Sequence, residues 1–208
     1  MSNMTLTADG LSALSAMLPG EIEIERGTRE DYFSLAHLHY APGKPATWAG
    51  VWRAEYRDFR LPIFDSRFED ATIESSFSLN RRSKIENRKS RTIAVGVLSY
   101  PTPSNAARDR VLGLSGPRYG EKLAFVNRHI RTISRVIVHP QFRGLGLASL
   151  LVRRICNECP TRYVEAIAAM GEVHPFFERG GMRKIESDGG VIGANGRAYF
   201  IFDRAAET

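Results

Sequence analysis

A chain of 208 residues, 43% hydrophobic and 25% charged, is long enough to bury one core and short for two. No run approaches the ~20 apolar residues of a membrane span, and the first twenty residues lack the basic start and cleavage pattern of a secretory signal, so the chain reads as soluble and cytoplasmic. The net charge of +6 is unevenly placed: Asn80 to Arg91 holds six basic residues and one acid, a segment suited to a polyanion or simply to solvent, with no aromatic residue for stacking bases.

In chain order, residues 1–20 read as a tail, with one weak helical pattern through Leu11, Leu14 and Leu18. Glu21 to Glu25 alternates charged and apolar residues, the period of a half-buried strand. Thr28, followed three residues later by Asp31, fits a helix N-cap, and Tyr32, Leu35, Ala36 and His39 continue at helical spacing until Pro42, Gly43 and Pro45 stop them. Val51 to Tyr56 and Thr92 to Tyr100 read as strands. The insert between them, about residues 57–91, contains Phe59, Phe64, Phe68 and Phe77 as well as the basic segment, and a loop of that length is usually functional or disordered. Pro101 to Gly120 reads as irregular. Ile133 to Val138 is a strand, Leu145 to Asn157 a helix, Tyr163 to Met170 a strand, Val173 to Met182 a short helix, and Arg197 to Asp203 a last strand. Cys156 and Cys159 have CxxC spacing without a second pair, and read as thiols at a helix end rather than as a metal site.

The stretch Val138 to Ser149, VHPQFRGLGLAS, carries the most chemistry. A strand leads into a turn with little side-chain bulk and then directly into a helix. The first amides of a helix have no partner within it, and the helix dipole adds positive charge there. Gly144 and Gly146 permit close backbone approach. The result is a pocket for a phosphate-type anion, with Arg143 as a further donor. The spacing Arg143, Gly146, Ala148 is neither the dinucleotide fingerprint nor a P-loop.

That stretch closely resembles the acetyl-CoA pyrophosphate loop of the GCN5-related N-acetyltransferase (GNAT) superfamily, and Val173 to Met182 (VHPFFERGGM) resembles the family's second motif. The resemblance covers roughly residues 131–185. It implies an α/β fold in one domain over residues 21–208, with a mixed, mostly antiparallel, splayed sheet of six or seven strands and helices on both faces. It also implies transfer of an acyl group, normally acetyl, from CoA to an amine by direct attack, without a metal. The backbone of Ile137 and Val138 would then meet the pantetheine arm. The amides of Arg143, Gly144, Leu145, Gly146, Leu147, Ala148 and Ser149 would meet the pyrophosphate.

The family's usual proton handling is absent. The position of its frequent glutamate base, four residues before Val138, is Ser134, and the position of its tyrosine acid is Phe177. His39, Tyr40, Ser134, Glu165 and His174 form the candidate catalytic set, with His39 able to act as a base near neutrality. Arg135, beside Ser134, suits an acidic acceptor or an outward-facing position. Two other functions are compatible with the residues. One is base modification of nucleic acid through residues 80–91, since His39-Tyr40 loosely resembles the Mom-like and ABC-ATPase-fused branch of the superfamily. The other is a catalytically silent CoA-binding regulator.

Overall fold

The computed structural model describes residues 20–40, 43–58, 90–116, 118–168, 174–185 and 197–206. The tail 1–19 and nearly all of the insert 57–91 lie outside the described residues, and so does Met170. The described strands form one seven-stranded sheet in the order β1-β2-β3-β4-β5-β7-β6. They are β1 (Gly20–Arg26), β2 (Gly50–Asp58), β3 (Ser90–Ser99), β4 (Ile130–Val138), β5 (Tyr163–Ala168), β6 (Arg183–Ile185) and β7 (Ala198–Asp203). Every neighbouring pair is antiparallel except β4 and β5. This is the mostly antiparallel α/β architecture implied by the resemblance.

Helices cover both faces. On one face lies α4 (Leu147–Glu158), whose apolar stripe Leu147, Leu150, Leu151 and Ile155 packs on Trp52, Ala94, Leu98 and Ile133. It lies so close over β3 that a Cβ at Gly96 would stand 2.5 Å from Ile155 Cδ1. The short helix α5 (Phe176–Arg179) rests on α4, with Phe177 stacked on Phe200 at 4.9 Å. At the far end of α4 the Arg204 guanidinium donates to the carbonyls of Cys156 at 3.0 Å, Asn157 at 3.1 Å and Cys159.

On the other face, α1 (Arg29–Leu35) packs Tyr32 and Leu35 against Val51, Val95, Val97 and Ile137. Its start is the expected capping box, Thr28 N donating to Asp31 Oδ2 at 2.7 Å while Thr28 Oγ1 accepts from Asp31 N. The helix is shorter than its spacing predicts. It ends at Leu35, tightens into a 3₁₀ turn over Ala36–Leu38, and leaves His39 in extended backbone. The expectation of an irregular Pro101 to Gly120 is corrected: α2 (Ala106–Val111) forms there and α3 (Tyr119–His129) begins there. Asn105 caps α2 by accepting from the amides of Ala107 at 3.0 Å and Arg108 at 3.2 Å. Both helices join a second cluster with Ile130, Tyr163, Tyr199 and Ile201.

Candidate active site

The site begins where the parallel pair divides. β4 and β5 are partnered only from Ile130–Tyr163 to Ile133–Ala166, after which β4 continues to Val138 beside β3 alone. At that point β4 is bulged: Val97 faces Arg135 and Leu98 faces Ile133, leaving Ser134 as the extra residue. Bulges re-aim side chains, and here Ser134 leaves the regular alternation where the strands separate.

Beneath the division the strands are tied by a sealed polar cluster. Glu165, fully buried, accepts from Arg108 Nη1 at 3.2 Å, Thr132 Oγ1 at 2.8 Å and Tyr199 OH at 2.9 Å. Burial, then the Glu165 charge, pushes the Tyr199 hydroxyl well above its ordinary value, so it remains a donor. Arg108, equally buried, also donates Nη2 to the carbonyls of Thr102 at 2.8 Å and Pro103 at 3.1 Å. The alternation of β5 left the direction of Glu165 open; the structure turns it to this cluster and away from solvent.

Above the division the polar groups are light. Ser99 Oγ donates to the Thr47 carbonyl at 2.7 Å and meets Ser134 Oγ at 2.7 Å. With the Ser99 proton engaged by Thr47, the Ser134 hydroxyl donates either to Ser99 Oγ or to the Val97 carbonyl at 3.3 Å, and Ser134 lone-pair capacity remains for an incoming N–H or water. His39 is half-buried, its ring stacked on exposed Tyr40 at 4.6 Å. It lines an open pocket of about 440 Å³ together with Tyr32, Phe33, His37 and Lys44. Neither His37 nor Lys44 stood out in the sequence, since only the turn after α1 brings them alongside His39. His174 is exposed, just ahead of Pro175 and α5.

The turn after β4 has the expected form. A 3₁₀ turn over Pro140–Phe142 leads to Gly144 and Gly146, both in the left-handed region at φ 82°, and Gly146 caps α4. Arg143 N donates to Pro140 O and Ser149 N to Gly146 O. The amides of Gly144 through Ala148, between them, donate to no backbone carbonyl among the described residues. A Cβ at Gly144 or Gly146 would meet nothing within 4 Å, so the turn is open on its outer side. Leu147 and Ser149 bury their side chains and offer only backbone. The Arg143 side chain folds back, Nε donating to Val138 O at 3.1 Å. Ile137 is buried under α1, and Val138 packs toward α4.

Nearby, Arg91 Nη2 meets His139 Nε2 at 2.6 Å. Burial, then the charges of Arg91, His37 and Arg143, lowers the His139 pKa and keeps the ring neutral as the acceptor. Of the basic residues in 80–91, only Arg91 lies among the described residues. No group of three metal-ligating side chains occurs among the described residues. Cys156 and Cys159 are buried free thiols.

A sheet that divides beside a turn of unengaged amides at a helix start is the geometry of the acyl-CoA-dependent N-acyltransferase fold. A profile of the Acetyltransferase (GNAT) family matches residues 106–182, from α2 through α5 to Met182. Over this segment, which is less than half of the chain, the sequence is similar to GNAT acetyltransferases. Similar solved structures include Arabidopsis thaliana NAA60 in complex with acetyl-CoA, at 14% identity and TM-score 0.49 over 88% of this chain and 99% of that one. Another is aminoglycoside acetyltransferase AAC(6')-Ib in complex with coenzyme A and kanamycin, at 13% identity and TM-score 0.43 over 89% and 96%. A Drosophila melanogaster polyamine N-acetyltransferase gives 13% identity and TM-score 0.43 over 88% and 100%. No curated protein matches the sequence. Among the described residues no helix is long and apolar enough to cross a membrane.

Proposed function

We propose that this protein transfers an acyl group, acetyl in the first instance, from a CoA thioester to an amine held in the same complex. The observation that carries the reading is the division of β4 from β5 after Ile133 and Ala166, beside the unengaged amides of Gly144 to Ala148. Those amides and the dipole of α4 suit a diphosphate. The edge of β4 that faces away from β3 has no partner strand beyond Ile133 among the described residues, and around Ile137 it suits an amide-containing arm lying in the gap.

In the reaction the amine nitrogen attacks the thioester carbonyl carbon, a C–N bond forms and the C–S bond breaks. The amine proton passes to a base, and the departing thiolate takes up a proton to give the free thiol. His39, in the wall of the pocket, is the proposed base. Ser134 positions the amine: its lone pairs accept an N–H, but its own proton has only Ser99 Oγ, itself bound to the Thr47 carbonyl, and the Val97 carbonyl as acceptors, and neither carbonyl can carry a proton onward. Glu165, sealed and already holding three donors, holds the junction together and has no place in this proton path.

The test is thermal unfolding with acetyl-CoA and longer acyl-CoAs. A ligand at about a hundred times its Kd adds roughly 2.7 kcal/mol of stability. Gly146→Trp should abolish that gain, because the turn is where the diphosphate sits. His39→Ala should keep it and lower turnover with an accepted amine. Indifference of the wild-type protein to every CoA thioester would overturn the reading.

A further inference from the structure

The pocket beside α1 and the strand beneath it each carry a fixed cation, Lys44 in the one and Arg135 on the other. His37, His39 and Lys44 line the pocket with Tyr32 and Phe33, and among the described residues no carboxylate does. The pocket is joined to β4 through its own wall, since Tyr32 and Ala36 belong to or pack on the cluster that contains Ile137. On that same face of β4 stands Arg135. It pairs across the ladder with Val97, a member of the same cluster, and directly opposed residues of an antiparallel pair share a face. Arg135 Nη1 donates to the carbonyl of Ser134 at 2.8 Å, and its Nε is buried without an acceptor. Among the described residues no carboxylate forms an ion pair with this guanidinium.

Arg108 gives the contrast within the same molecule, because its guanidinium was given Glu165. A partly desolvated cation without a counter-charge is unfavourable until an anion arrives. Arginine and lysine also differ in how they meet an oxyanion, the first as a two-donor fork and the second as a mobile point charge. An acceptor bearing extra positive charge would be repelled here, which makes the site selective as well as attractive.

We propose that the amine acceptor carries an oxyanion, a carboxylate or a phosphate, held by Lys44 and His37 in the pocket and by Arg135 on β4, with the amine directed to Ser134. The proposal deepens the acyltransferase reading and rests on it for the identity of the acceptor.

The experiment is calorimetric titration of the full chain, first with CoA and then with four matched amines: 4-aminobutyrate, 3-aminopropylphosphonate, butylamine and 1,4-diaminobutane. The two acids should bind at least roughly ten-fold more tightly than the other two, the scale expected of one charge-assisted contact. Lys44→Gln and Arg135→Gln should each remove most of that preference while leaving the Kd for CoA unchanged. Lys44 is exposed, so its variant remains informative even where the Arg135 variant folds poorly. Equal or tighter binding of butylamine or diaminobutane overturns the proposal. So does a preference that survives both substitutions, or no binding of either acid with or without CoA. Failure of the acyltransferase reading looks different: CoA gives no heat, yet the acids still bind in a manner that depends on Lys44 and Arg135.

Discussion

The two ends of the β4–β5 pair are built from opposite materials. Below the division, a charged pair and two hydroxyls are sealed into one cluster, with Arg108, Thr132, Glu165 and Tyr199 drawn from α2, β4, β5 and β7. Above it, hydroxyls and backbone groups line a gap that no described strand fills. A sheet can be open at one end only if the other end is fixed, and buried charges give that fixity because either partner alone is so costly. The opening is therefore a property of the junction beneath it as much as of the gap.

Breaking the lower end should have the largest effect. Glu165→Ala removes the carboxylate that faces the buried Arg108 guanidinium, leaving it the Thr102 and Pro103 carbonyls and Asp109 at 3.8 Å, and should cost about 3 kcal/mol of stability, read from urea unfolding. A variant that loses less than 1 kcal/mol would show that the cluster is not the fixed point. Next comes the contact that sets the height of α4, and with it the amide turn, over the sheet. Gly96→Val places carbon where Ile155 already lies and should cost roughly 1–3 kcal/mol by the same assay. Above the division the expectation reverses. Ser134→Ala keeps the Ser99 bond to Thr47 and should cost at most about 1 kcal/mol of stability, while KM for an accepted amine rises.

Acid serves as the weakest perturbation of the comparison, read at two carboxylates away from the division. Asp31 feels burial that raises its pKa, but the Thr28 amide, Arg53 and Thr92 outweigh it and hold the carboxyl below its ordinary value. The Ser90 hydroxyl, joined by Arg53 and Arg57 and opposed by burial, does the same for Glu55. A folded pKa below the unfolded one means that the stabilisation is complete above about pH 4 and is lost as the pH falls through the lowered values. Urea midpoints should hold steady from pH 7 to 5 and decline below 4, and Asp31→Asn should flatten that decline.

The amide turn was legible because everything it needs is local: two glycines, a preceding strand and a following apolar helix within twelve residues. The capping box at Thr28 was legible for the same reason. What escaped was α2, a helix of six residues set among proline and glycine, whose Asn105 cap was the signal passed over. Its stability comes from Arg108 reaching Glu165, 57 positions away, and no periodicity reports such a contact. Glu165 was singled out as chemistry because a carboxylate on β5 near the cleft looks available; only its three partners show that it is engaged. His37 and Lys44 were missed because the pocket is made by the 3₁₀ turn that ends α1 early, where the spacing implied more helix.

The guanidinium of Arg204 binds the carbonyls that end α4, and the bare amides that begin the chemistry lie at the other end of that helix. Twelve residues of α-helix span about 18 Å as a stiff rod. The turn that follows β7 thereby acts as a brake on axial sliding of that rod, and loosening it at a surface remote from the proposed site should detune the proposed grip on CoA without touching a single group assigned to contact it.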